Sequence, residues 1–139
     1  MTSPVCRTGM IGEAVFVAEA MKNDVGVAIV LDQHCPYDVI SICGNKMNRI
    51  QIKTTKDLEL GKDGCRRSGY CVITDGTKYG ADMFDYWAIV VLDVNIFYII
   101  PQSVITKNKI RIHPDKTASN SLITEDYSMY RNRWDLLKT

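Results

Sequence analysis

Long apolar runs, paired cysteines and an excess of charge of either sign are what this 139-residue sequence lacks. Its longest apolar run, residues 86–92 (YWAIVVL), is seven residues, against the roughly 20 that a membrane-spanning helix needs. Nothing near Met1 joins a basic start to an apolar stretch, so no secretory signal is expected. The cysteines, at positions 6, 35, 43, 65 and 71, are odd in number and have no CxxC spacing. Such a set suits reduced thiols in a cytoplasmic compartment better than a disulfide framework. A zinc site from His34, Cys35, Cys43 and Cys65 would need adjacent His and Cys ligands at a spacing foreign to zinc fingers, and is set aside. Seventeen basic residues nearly cancel sixteen acidic ones, and a net charge of +1 excludes a polycation that holds nucleic acid by bulk charge.

What is there reads as one globular domain, residues 1–139, of ordinary composition, with 46% hydrophobic and 24% charged residues. Residues 8–22 fit a helix with Thr8 as N-cap and Ile11, Ala14, Val15, Ala18 and Met21 along one side. Gly26 is placed to cap it in the left-handed conformation. Residues 27–31 form a short β-branched run, expected as a buried strand. Residues 37–43 and 49–55 flank turn chemistry at 44–48 and predict an antiparallel hairpin, because RIQIKTT alternates with a period of two. Residues 56–69, polar and holding three glycines, read as an exposed loop. Strands are expected at 70–74, 86–92, 96–100 and 109–113, with turns at Asp75-Gly76 and 93–95. Tyr127, Tyr130, Trp134 and Leu137 recur at helical spacing and predict a C-terminal helix over 125–137 behind Thr124. The order fits an α/β layer with a mixed sheet flanked by helices.

The chemistry-bearing residues converge on the hairpin. Asp38 opens one strand and Lys53 nearly finishes the other, so both lie at its open end. A two-residue turn centred between Asn45 and Lys46 sets Asp38 opposite Lys53, with Gln51 on the same face and Ile50 and Ile52 on the other. Alternation alone accounts for such residues on a solvated strand face. The other reading is a metal site for phosphodiester hydrolysis, since hard oxygen donors select Mg²⁺ or Mn²⁺. Asp38 would hold the metal, with Gln51 Oε1 and the Ile52 carbonyl beside it, Glu13 reaching in from the helix, and Lys53 at the developing charge. His34 stands nearby in sequence, but this chemistry needs no histidine base. Tyr37 has two uses open to it, packing under the hairpin or touching a phosphate.

GEAVFVAEA (12–20), PYD (36–38) and IQIKT (50–54), in that order, resemble the PD-(D/E)XK nuclease superfamily. With Gln51 where the second acidic residue is usual, the sequence is similar to the group I intron-associated homing endonucleases of that superfamily. DYWAIVV (85–91) and FYIIP (97–101) resemble the later strand pair, so the likeness spans about residues 9–137. It implies a restriction-endonuclease-like core, Mg²⁺-dependent cutting of double-stranded DNA, and Glu13, Asp38, Gln51 and Lys53 as the site. It also implies a phage- or mobile-element-encoded protein. A junction resolvase of the same fold and a silent DNA-binding module are the competing readings, the second because a neutral amide binds a hard cation less strongly than a carboxylate does.

The near-zero net charge hides local asymmetry. Residues 44–67 carry seven basic residues against three acidic, and 107–116 carry four against one, whereas 75–93 carry four aspartates against Lys78. Phosphate contacts are therefore expected from Lys46, Arg49, Lys56, Lys62, Lys107, Lys109 and Arg111, with Arg66 and Arg67 on the loop reading base edges. A solvated surface charge is the alternative for each. Cutting both strands takes two sites, so a homodimer or higher homo-oligomer is expected. Tyr127, Tyr130 and Trp134 are candidates for its interface, although packing on the sheet is the commoner use of such a stripe.

Overall fold

The computed structural model describes residues 3–61, 64–114 and 126–139, leaving aside the side chains of 59–61 and 64–68. Helix α1 spans Pro4–Lys22 and starts earlier than Thr8 predicts. The Ser3 hydroxyl accepts from the Cys6 N–H as the N-cap, and Pro4 fills the first turn, where its missing N–H costs nothing. Thr8 instead donates its hydroxyl to the Pro4 carbonyl. The buried side is Gly12, Phe16 and Ala20, not the expected stripe, and Ile11 and Met21 face outward. The helix rolls this way because Gly12 lets it close on Thr54, whose side chain occupies the place of a Cβ at that position. The left-handed residue after the helix is Asp24 (φ 63°), so Gly26 is free to open the first strand.

The strands in chain order are β1 (Gly26–Ile29), β2 (Val39–Cys43), β3 (Lys46–Thr55), β4 (Leu58–Gly61), β5 (Gly64–Ile73), β6 (Tyr86–Val91), β7 (Ile96–Pro101) and β8 (Lys109–Ile112). The main sheet has the order β1-β2-β3-β6-β7, with β3 and β6 parallel and the other pairs antiparallel. It is the mixed sheet that the element order predicts. β1, expected buried, is an exposed edge strand, because only β2 pairs with it and Ile29 is left mostly open.

Residues 56–69 are not a loop. β4 and most of β5 lie there and join β8 in a second antiparallel sheet, β4-β5-β8. Its strands β4 and β5 lie on the crossover between the parallel strands β3 and β6, where a helix is the usual connection, and β8 joins them from beyond β7. Its glycine content marks close packing as much as turning: a Cβ on Gly69 would overlap the Arg111 and His113 side chains.

Two apolar layers result. Ile50, Ile52, Ala88, Val90 and Ile99 face α1 and pack with Phe16 and Ala20. Trp87, Ile89, Val91 and Ile100 face the second sheet and pack with Tyr70, Val72, Ile110 and Ile112. The expected C-terminal α-helix is instead two 3-10 turns, Ser128–Tyr130 and Trp134–Leu137, separated at Asn132 (φ 53°); Thr124 lies outside the described residues. Spacings of three, four and three residues are those of an α-helix, but Asn132 in the left-handed region divides the stretch into two short turns. Trp134 seals the α1 layer, its ring 5.4 Å from Phe16 and 5.7 Å from Phe97. Tyr127 and Tyr130 pack against the other layer.

Candidate active site

The hairpin register differs from the expected one by one step on each strand. Cys43 pairs with Lys46 and Val39 with Ile50, so the turn is Gly44-Asn45, with Gly44 in the left-handed region at φ 59°. Continuing that register sets Asp38 level with Gln51, not Lys53. A shift of two in the pairing keeps every side chain on its face, so Asp38, Gln51 and Lys53 still share one.

Asp38 stands where the sheet opens. β2 begins only at Val39, after Pro36, which has no N–H to donate to a ladder. The Asp38 N–H donates to the Ile50 carbonyl at 2.9 Å, and its Oδ2 accepts from the Ile52 N–H at 2.7 Å. On β3, the Arg49 and Thr55 carbonyls accept from Asp85 and Leu92 on the β6 side. By the alternation of a strand, the Ile52 carbonyl therefore points to the side that β2 has left. Gln51, level with Trp87 on β6, is only 9% exposed, and its amide makes no hydrogen bond to another described residue. An amide that engages no described residue leaves its oxygen open to an ion or an ordered water. Glu13 lies on α1, on the opposite face of the sheet, near enough for the Asp38 carboxylate to act on it.

The electrostatics bind these groups into one site. Burial, and then the Asp38 carboxylate, push the Glu13 carboxyl above its ordinary value. Burial raises the Asp38 carboxyl too, against the Ile52 N–H and the Lys53 ammonium, which pull it down. Burial lowers Lys53, while the Asp75 and Asp38 carboxylates work to raise it. The donor set is wholly oxygen: two carboxylates, an amide and a backbone carbonyl, which suits a hard divalent cation. Among the described residues no three His, Cys, Asp or Glu side chains gather as a metal cluster. A cavity of about 380 Å³ lined by Tyr79, Phe84, Asp85 and Gln102 opens elsewhere. None of the four site residues lines it, so the chemistry and not the cavity marks the site.

Of the expected DNA-contacting residues, Lys46 is exposed at the hairpin turn, Lys56 just past β3, and Lys107 and Lys109 at the start of β8. Arg111 pairs with Cys71 across β5 and β8. Arg49 is engaged within the protein: its guanidinium donates to both oxygens of Asp85, each at 3.2 Å, and lies 5.9 Å from the Tyr37 ring centre. Lys62 and the side chains of Arg66 and Arg67 lie outside the described residues, although the backbone of the two arginines is strand and not loop. The turn expected at Asp75-Gly76 leads into a 3-10 turn, Gly76–Lys78, and the Asp75 carboxylate is among the charges that act on Lys53. No local pattern signals that influence.

A mixed sheet that opens at one strand junction, with oxygen donors and a lysine at the opening, defines a nuclease of the restriction-endonuclease-like fold. The chain belongs to the PD-(D/E)XK endonuclease family, whose model matches residues 6–132. Nucleases of this family generally use divalent metal ions. The fold is similar to that of a bacterial homing endonuclease, I-Ssp6803I, with a TM-score of 0.76 and 20% identity, covering 96% of this chain and 93% of that one. No curated protein matches. Among the described residues, no helix is long and apolar enough to cross a membrane.

Proposed function

We propose that the protein is a Mg²⁺-dependent endonuclease that cuts double-stranded DNA at a specific site, of the group I intron homing type, acting as a homodimer or larger homo-oligomer. The observation that carries this reading is the notch where Asp38 leaves the sheet, with Gln51 and Ile52 beside it and Lys53 and Glu13 on either face. Asp38, Gln51 Oε1 and the Ile52 carbonyl would hold the ion, and Mn²⁺ would serve in place of Mg²⁺. The bound ion supplies an acidified water and offsets phosphate charge. Lys53 stabilises negative charge at the phosphate or orients the water, and Glu13 holds a water at the rim. Lys46, Lys56, Lys107, Lys109 and Arg111 contact backbone phosphates, and Arg66 and Arg67 read bases.

Two substrates test it: a randomised linear duplex library and a four-way junction, each with Mg²⁺ or with EDTA. Cutting of a discrete linear sequence with Mg²⁺ and none with EDTA is the expected result. Cutting of junctions alone would make the protein a resolvase. Binding of either substrate without cutting in Mg²⁺ would make it a silent module.

A further inference from the structure

We infer that Ile42 and Met47, a cross-strand pair at the tip of the β2–β3 hairpin, read base edges in the major groove of the duplex that the site cuts. The inference rests on the nuclease reading above and names residues that choose the target sequence. Ile42 is directly opposite Met47, and Ile40 is opposite Arg49, two residues nearer the notch. Opposed residues of an antiparallel ladder share a face, and alternation along β3 puts Met47 with Arg49, Gln51 and Lys53. The pair therefore stands on the face that carries Asp38, Gln51 and Lys53, along which the substrate has to lie.

The two faces of this hairpin are covered differently. On the α1 side Val39, Ser41, Asn48 and Ile50 are buried. On the other, Ile42 is 37% exposed and Met47 63%, and among the described residues the apolar layer under the second sheet includes neither. β1 sets nothing tall beside them, since Gly26 is level with Ile42 and Ala28 with Ile40. The result is a flat apolar strip bordered by cations. From Val39 to Thr55 the hairpin carries Lys46, Arg49 and Lys53 and no acidic residue. A strip so bordered suits a polyanion, but its own side chains have no donor to give a phosphate. A two-stranded ribbon fits the major groove, and the thymine methyl is the apolar group displayed there. The ladder runs out to Cys43 and Lys46, on a turn with Gly44 at φ 59°. The pair is thus presented on a formed ribbon, with no loop to order on binding. Met47 lies four residues from Gln51 on β3, roughly 13 Å along the strand, which is about four base-pair steps from the cut.

The test uses the full chain as wild type, I42T and M47T, on duplexes recovered by wild-type cleavage from a randomised library. Threonine keeps the strand preference, and both positions are exposed, so the variants are expected to melt with the wild type. The recovered sites are expected to require thymine at a position about four base pairs from the cut. Replacing that dT by dU, which lacks only the methyl, is expected to slow single-turnover cleavage about fourfold in the wild type. In at least one of the variants the same replacement is expected to cost less than about twofold, because the contact is already lost. Sites with no thymine preference there overturn the inference, and so does a dU effect in both variants equal to that in the wild type. A changed oligomeric state in I42T or M47T, read by sedimentation, overturns it as well and makes the strip the seat of a second copy. Failure of the wild type to cut any duplex sinks the nuclease reading and this inference with it, whereas the other outcomes leave that reading standing.

Discussion

The Ile52 N–H donates to the Asp38 carboxylate at 2.7 Å, across the point where β2 has ended and β3 continues. This bond stands where a ladder bond would be. It fixes one carboxylate oxygen in the opening of the sheet and leaves the other for a cation, while burial disfavours the charge that the cation would offset.

From this follows the behaviour of D38N. Asp38 and Glu13 both have carboxyls raised above the ordinary 3.8 and 4.5. A raised carboxyl gives full stability below its unfolded value and loses it as pH climbs through the folded one. The metal-free protein should therefore lose stability from about pH 4 upward through those raised values. D38N keeps an acceptor for the Ile52 N–H and sheds the charge. In EDTA at pH 7 it should melt a few degrees above the wild type, and in Mg²⁺ its cleavage should be abolished. Calorimetry in EDTA checks it, and an unchanged or lower Tm would contradict the electrostatic account.

Mg²⁺ should raise the wild-type Tm and leave that of D38N unmoved. At tenfold excess over its dissociation constant a ligand confined to the folded state adds about 1.4 kcal/mol. A thermal-shift titration reads the difference directly, and equal shifts in the two proteins would place the ion elsewhere.

Q51E and Q51L move the site in opposite directions. Q51E adds a charge beside Asp38, so it should destabilise the metal-free protein at neutral pH and bind Mg²⁺ more tightly. Q51L should keep the fold, since the side chain is nearly buried against Trp87, and lose the metal-induced shift. Isothermal titration with Mg²⁺ or Mn²⁺ separates them.

G12A should cost about 1–3 kcal/mol, because a methyl there overlaps Thr54 and lifts α1 from β3. Glu13, the next residue, moves with the helix, so cleavage should fall as well. G9A, with nothing within 4 Å of the added carbon, is the matched control and should cost far less. Urea denaturation of both proteins gives the comparison.

R49M tests a half-exposed ion pair. Burial raises the Asp85 carboxyl, but hydrogen bonds from the Arg49 guanidinium and backbone outweigh it and hold the group below its usual range. A lowered carboxyl stabilises above its unfolded value, near 3.8, and the gain disappears as pH falls through the folded one. R49M should cost about 0.5–1 kcal/mol at pH 7. The difference from wild type should close in denaturation curves taken below pH 3.8.

Reading Asp38, Gln51 and Lys53 onto one face needed only the period of two in RIQIKTT, and it survives the corrected register because the error was an even number of residues. The burial of Trp134 and Leu137 was likewise legible as a stripe, although its helix was not. The glycine-rich segment 56–69 could not be read as sheet, since Gly69 is set by the Arg111 and His113 side chains, more than forty residues away in the chain.

The sequence by itself determined the family, through an ordered set of short motifs, and the hairpin and the parity of its faces, which depend on neighbours a few residues apart. The tertiary structure alone decided which side of α1 is buried, that the β3–β6 crossover carries two strands of a second sheet, and that Tyr79 packs on Trp87. Each of those turns on a contact between distant segments, Gly12 with Thr54, Gly69 with Arg111, Tyr79 with Trp87. No local periodicity encodes such contacts, because the space they fill exists only once the layers have met.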